Sequence, residues 1–80
     1  MTPTELMRQE ILRLARATRH SAFISPRRLS AFYNVPEKSV RQELARLADE
    51  NRIHLADGQS REEFIEKAPD GLAVRVDLME

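Results

Sequence analysis

The sequence predicts an α+β fold that is mainly helical: three helices, then a two-stranded β-hairpin. Three observations carry this. Apolar residues recur at helical spacing in three segments, each opened by a capping residue or a proline. Residues 52–56 and 72–78 alternate apolar and polar instead, as strands do. Between them stand the turn signals Asp57-Gly58 and Pro69-Asp70-Gly71.

The first helix is predicted over about 3–18. Thr2 can cap it, Pro3 suits its first position, and Glu5 follows Thr2 by three residues as in a capping box. Met7, Ile11, Leu14, Ala15 and Thr18 mark its inward stripe, widened by Leu6 and Leu12. Phe23 and Ile24, in the linker that follows, are expected to plug the top of a three-helix core.

Ser25-Pro26 repeats the cap-and-proline start, and a short helix is predicted over about 26–33. Leu29, Phe32 and Tyr33 are apolar at i, i+3 and i+4. Phe32 is assigned to the core, and Tyr33 to either the core edge or the surface. Asn34 tolerates the left-handed conformation, and Pro36 disfavours a helical Val35, so the chain turns there. A third helix runs from about 37 to 50, with Val40, Leu44, Leu47 and Ala48 inward and Asn51 as a second left-handed cap. In the first strand Ile53 and Leu55 share one face. In the second, Leu72, Val74, Val76 and Leu78 oppose Ala73, Arg75 and Asp77. Ser60 to Glu63 resembles a capping box, so 61–67 is expected to form one or two helical turns inside the long connection.

Eighty residues make one domain, 1–80, with a small core. Met1 and a strand at the C-terminus lead us to expect a stand-alone protein or a complete N-terminal domain. Without cysteine there is neither a disulfide framework nor a thiolate metal site. No apolar run spans a bilayer and no signal-peptide core is present, so a cytoplasmic protein is expected. His20 and His54 are the only histidines and lack metal-ligand spacing. The serines lack a nucleophile turn, Glu62 and Glu63 point apart on a helix, and Gly58 and Gly71 form no phosphate loop. The expectation is therefore no enzyme, no cofactor and no metal.

The formal net charge of zero hides an asymmetry. Residues 1–56 hold ten basic and six acidic side chains, a balance of +4. Residues 57–80 hold three and seven, a balance of −4. A basic front and an acidic tail suit a face for a polyanion and another that avoids it.

The stretch ISPRRLSAFYNVPEKSVRQELARLADENRI, residues 24–53, resembles the winged helix-turn-helix DNA-binding domain of GntR-type regulators. The family opens its second helix with Ser-Glu-Arg-x-Leu, matched by Ser25-Pro26-Arg27-Arg28-Leu29. Its small residue and Gly-Val turn are matched by Ser30 and Asn34-Val35. Its Thr-Val-Arg-x-x-Leu-x-x-Leu recognition helix is matched by Ser39-Val40-Arg41-Gln42-Glu43-Leu44-Ala45-Arg46-Leu47, and its Glu-Gly-Leu-Ile by Glu50-Asn51-Arg52-Ile53. The chain departs from the family at Glu37, where an arginine is usual, and in its long acidic connection (Glu62, Glu63, Glu66, Asp70), where the family has a short and often basic wing.

The resemblance implies sequence-specific binding of double-stranded DNA by a small transcription regulator. Its third helix enters the major groove, with Lys38, Ser39, Arg41 and Gln42 at base edges. Arg27 and Arg28, at a helix N-terminus, are expected to clamp phosphate with Arg46, and Arg19 and His20 to add backbone contacts. One such module buries only about 600–1,000 Å² on DNA, so a homodimer on a two-fold site is expected, joined through the first helix or the acidic segment. The alternative is a winged helix used for protein–protein contact, with the acidic 57–71 segment or the strand edge as its surface. Zero net charge and Glu37 favour it.

Overall fold

The structure, a computed structural model, describes residues 2–19, 21–55, 61–67, 71 and 73–79. Among the described residues it is a small, mostly helical α+β architecture: four helices and a three-stranded antiparallel sheet. The order is α1 (Pro3–Ala17), β1 (Ser21–Ile24), α2 (Pro26–Tyr33), α3 (Glu37–Asp49), β2 (Ile53–Leu55), α4 (Arg61–Lys67) and β3 (Val74–Leu78).

The caps set the helix boundaries. Thr2 Oγ1 accepts from the Glu5 amide at 3.2 Å and opens α1. Ser25 Oγ accepts from the Arg28 amide at 3.3 Å and opens α2. Asn34 closes α2 in the left-handed conformation at φ 56°. Ser30 then grips the turn twice: its carbonyl accepts from Val35 N at 3.1 Å, and its hydroxyl donates to the Val35 carbonyl. Asn51, at φ 61°, closes α3. There Arg52 N–H returns to Leu47 O and Asn51 N–H to Ala48 O, each at 3.0 Å, which is the Schellman wrap.

The sheet has one strand more than the sequence predicts. β3 lies between β1 and β2, in the order β1-β3-β2. Ala22 faces Val76 and Ile24 faces Val74 across one ladder; Ile53 faces Leu78 and Leu55 faces Val76 across the other. Residues 21–24, expected as linker, thus form a strand. Ile24 is buried as expected. Phe23 is not: alternation turns it to the outer face, where it is 76% exposed. Ala56, Ser60 and Leu72, assigned to strand ends and a cap, lie outside the described residues.

The core lies between α1 and α3 on one side and the inner face of the sheet on the other. Met7, Ile11, Val40, Leu44, Leu47, Ile53 and Val76 are fully buried. Phe64 of α4 joins them at 2% exposure and so anchors the helix inside the connection. Phe32 corrects a second expectation, being 80% exposed. An eight-residue helix buries one narrow arc, here centred on Pro26 and Leu29 with Tyr33 half-buried at its edge. Phe32 falls on the flank of that arc, stacked edge-on against Tyr33 with ring centroids 4.9 Å apart.

Candidate nucleic-acid interface

At 100° per residue, the side of α3 away from the core carries Lys38, Ser39, Gln42, Arg46 and Asp49. Lys38, Gln42, Arg46 and Asp49 are exposed and Ser39 is half-buried. Four of the five α3 residues expected to meet DNA therefore share one outward stripe.

The fifth, Arg41, lies on a flank of α3 and is 7% exposed. Its Nε donates to the Ile65 carbonyl of α4 at 3.2 Å, and a second guanidinium nitrogen stands 3.7 Å from Glu37 Oε2. The guanidinium expected at base edges is spent holding α4 against α3. The reason is geometric: Arg41 lies 100° round the helix from Gln42, on the side that α4 covers.

Glu37, which the sequence marks as a charge repelled by phosphate, is a junction. One carboxylate oxygen accepts from Arg27 Nε at 3.4 Å, and the other accepts from the Gly71 amide at 3.1 Å. Its side chain is 15% exposed and flanked by two guanidiniums, so its charge is largely answered from within. Gly71 has φ +83°, and a Cβ there would stand 2.9 Å from the Arg27 guanidinium carbon. The left-handed φ is what favours glycine at position 71, which lies beside Arg27.

Arg27 and Arg28, expected to clamp phosphate together, point to different flanks of α2. Adjacent helical residues point 100° apart. Arg27 turns toward Glu37, beside the start of α3. Arg28 turns to the opposite flank of α2, into a cleft with α1 and β1. Arg19 is exposed at φ 60° after α1, and His20 lies outside the described residues.

The cations of the stripe have acidic neighbours. Lys38 Nζ meets Glu66 Oε1 of α4 at 2.9 Å, both side chains about half exposed. Arg46 meets Glu43 Oε2 at 3.2 Å while keeping 61% of its side chain in solvent. Glu43 is buried, and its other oxygen stands 3.0 Å from Arg8 Nε of α1. That contact lies outside hydrogen-bonding geometry, so charge attraction alone holds it. Arg8 also donates to Glu50, which makes a belt of charge from α1 to the end of α3.

The roles of Glu66 and Gly71 had no signal in the sequence, because both depend on where α4 docks. Among the described residues no cluster of histidine or acidic side chains could hold a metal ion, and no helix is long and apolar enough to cross a membrane. Compared with known protein families, with characterised proteins and with solved structures, the chain matches none.

Proposed function

We propose that the chain is a winged helix that binds double-stranded DNA as a small transcription regulator of the GntR-like pattern. In this reading α3 enters the major groove, β2 and β3 are the wing strands, and α4 replaces the tip of the wing. Lys38, Ser39 and Gln42 read base edges, while Arg27 and Arg46 hold phosphates. Arg41 and Arg28 drop out of the contact set.

The observation that carries the reading is the outward stripe Lys38–Ser39–Gln42–Arg46, with Arg27 beside the start of the same helix. Such a surface offers donors to base edges and cations to phosphate. The acidic partners do not close it. Exposed ion pairs contribute only about 0–1 kcal/mol, so a base-edge acceptor can displace Glu66 from Lys38. The small footprint of one module again implies a homodimer on a two-fold site.

A second reading, protein–protein contact through α4, is favoured by one observation. Glu62, Glu63 and Glu66 leave an acidic outer surface beside the stripe.

The test is an NMR titration of labelled protein with a mixed-sequence duplex at low and moderate salt. Amide shifts are expected at Arg27, Lys38, Gln42 and Arg46, fading as salt rises. A spectrum that stays still at low salt removes the DNA reading and leaves the protein-contact one.

A further inference from the structure

The cleft that receives Arg28 has no part in the proposed DNA contact. It is a groove of about 530 Å³ between α1, β1 and α2. Leu14, Ile24 and Leu29 contribute apolar floor and wall, and Phe23 and Phe32 stand over it. These two are the most exposed large apolar side chains among the described residues, at 76% and 80%. Solitary exposed apolar residues are ordinary; two open rings beside one apolar groove are a patch of the kind that marks an interaction site.

The rim fixes the chemistry of the occupant. Arg13 and Arg28 stand on opposite sides, on α1 and α2, with Glu10 as the acid among the lining residues. Glu10 is already held by both guanidinium nitrogens of Arg13 that face it. Arg28 has no ion pair among the described residues. The rim is thus net positive, with one uncommitted guanidinium at the edge of an apolar groove.

A second copy of the chain fits poorly. A two-fold contact through this face would set two net-positive rims together. A fully exposed aromatic side chain offers about 150–250 Å², so the two rings present roughly 300 Å², against about 800 Å² per partner for a stable dimer. A short peptide needs only a few anchors.

We infer that this cleft docks an acidic peptide segment of a partner protein, with apolar side chains in the groove between α1 and α2 and carboxylates on Arg28 and Arg13. A domain with DNA on one face and such a peptide on another could couple a DNA site to a second protein, but the docking itself does not depend on the DNA reading.

The test is fluorescence anisotropy with a labelled synthetic peptide carrying phenylalanine and leucine at helical i, i+3 and i+4 spacing among glutamates, and a counterpart with lysine in place of every glutamate. No DNA is present, so the outcome is independent of the DNA reading. The glutamate peptide is expected to bind saturably, and the lysine peptide at least about tenfold more weakly. R28E and F32A, both exposed positions whose circular dichroism and melting should match the parent, are each expected to weaken the glutamate peptide about tenfold. R28E should also narrow the gap between the two peptides. Equal binding of both peptides, indifference to R28E and F32A, or no binding overturns the inference. So does concentration-dependent self-association in sedimentation that F23A and F32A abolish, which would make a second copy the occupant. Displacement of the bound peptide by a duplex, lost in R28E, would mark the rim as a phosphate site and overturn it equally.

Discussion

Arg41 donates its Nε proton to the backbone carbonyl of Ile65 at 3.2 Å, and with that bond the third helix holds the fourth. Removing the side chain takes a donor from the Ile65 carbonyl and a cation from Glu37. Loss of a charged hydrogen-bond partner from a buried group costs about 1–3 kcal/mol. R41A should therefore lower the unfolding free energy, read from urea melts, by that amount. Its DNA affinity, measured where the variant is still folded, should change less than that of K38A or R46A. A variant that keeps its stability but loses DNA would return Arg41 to the base-reading set.

K38A should weaken binding most on the preferred sequence, as loss of a base contact does, whereas R46A should weaken it across unrelated sequences and reduce the slope of log affinity against log salt by about one, as loss of one phosphate-neutralising cation does. A loss confined to one sequence would instead make Arg46 a base reader.

Glu66 shields Lys38. E66Q removes the shield while preserving size at a half-exposed position. DNA affinity at low salt should rise by no more than about fivefold, the upper worth of an exposed pair. Stability should be unchanged within about 0.5 kcal/mol. Filter binding at two salt concentrations distinguishes this from no effect.

Phe64 and Phe32 have the same side chain and opposite surroundings. F64A should cost about 3–5 kcal/mol, as deletion of a buried ring does. F32A should stay within about 0.5 kcal/mol of the parent. Paired urea melts decide both values, and equal losses would mean that Phe32 is packed after all.

Asp77 carries a pH signature. A hydrogen bond from the Ser21 side chain holds its carboxyl below the ordinary carboxylate value, helped by Arg75 and His54. A carboxyl lowered on folding adds stability above its unfolded value, and that contribution disappears as pH falls through the folded value. The tie between β1 and β3 should thus weaken only in acid, below about pH 4. In an NMR titration S21A should move the Asp77 midpoint upward; an unmoved midpoint would remove Ser21 as the cause.

Helix ends were the most legible part of the chain, because their signals are local. Thr2, Ser25, Asn34 and Asn51 each do at a boundary what their chemistry favours. The strand at 21–24 was not legible: four residues offer only two periods of alternation, and its partner β3 lies at the far end of the chain. Nor was the division of the arginines. Arg41 and Arg46 both sit on a helix of mixed charge, and only the docking of α4 separates the buried one from the exposed one. Arg27 and Arg28 diverge for a simpler reason. Neighbours on a helix point 100° apart, and on α2 that is enough to send Arg27 toward Glu37 and Arg28 into the cleft with α1 and β1.

The position of β3 between the other two strands also bears on how the molecule comes into being. In a chain emerging from the ribosome β1 and β2 both precede β3, and neither meets its partner strand until Val74–Leu78 arrives. Contacts between such distant segments are slow to close. The helices can gather early, while the sheet waits for β3, and a pause in translation before Val74 leaves β1 and β2 unpaired to chaperones or to aggregation.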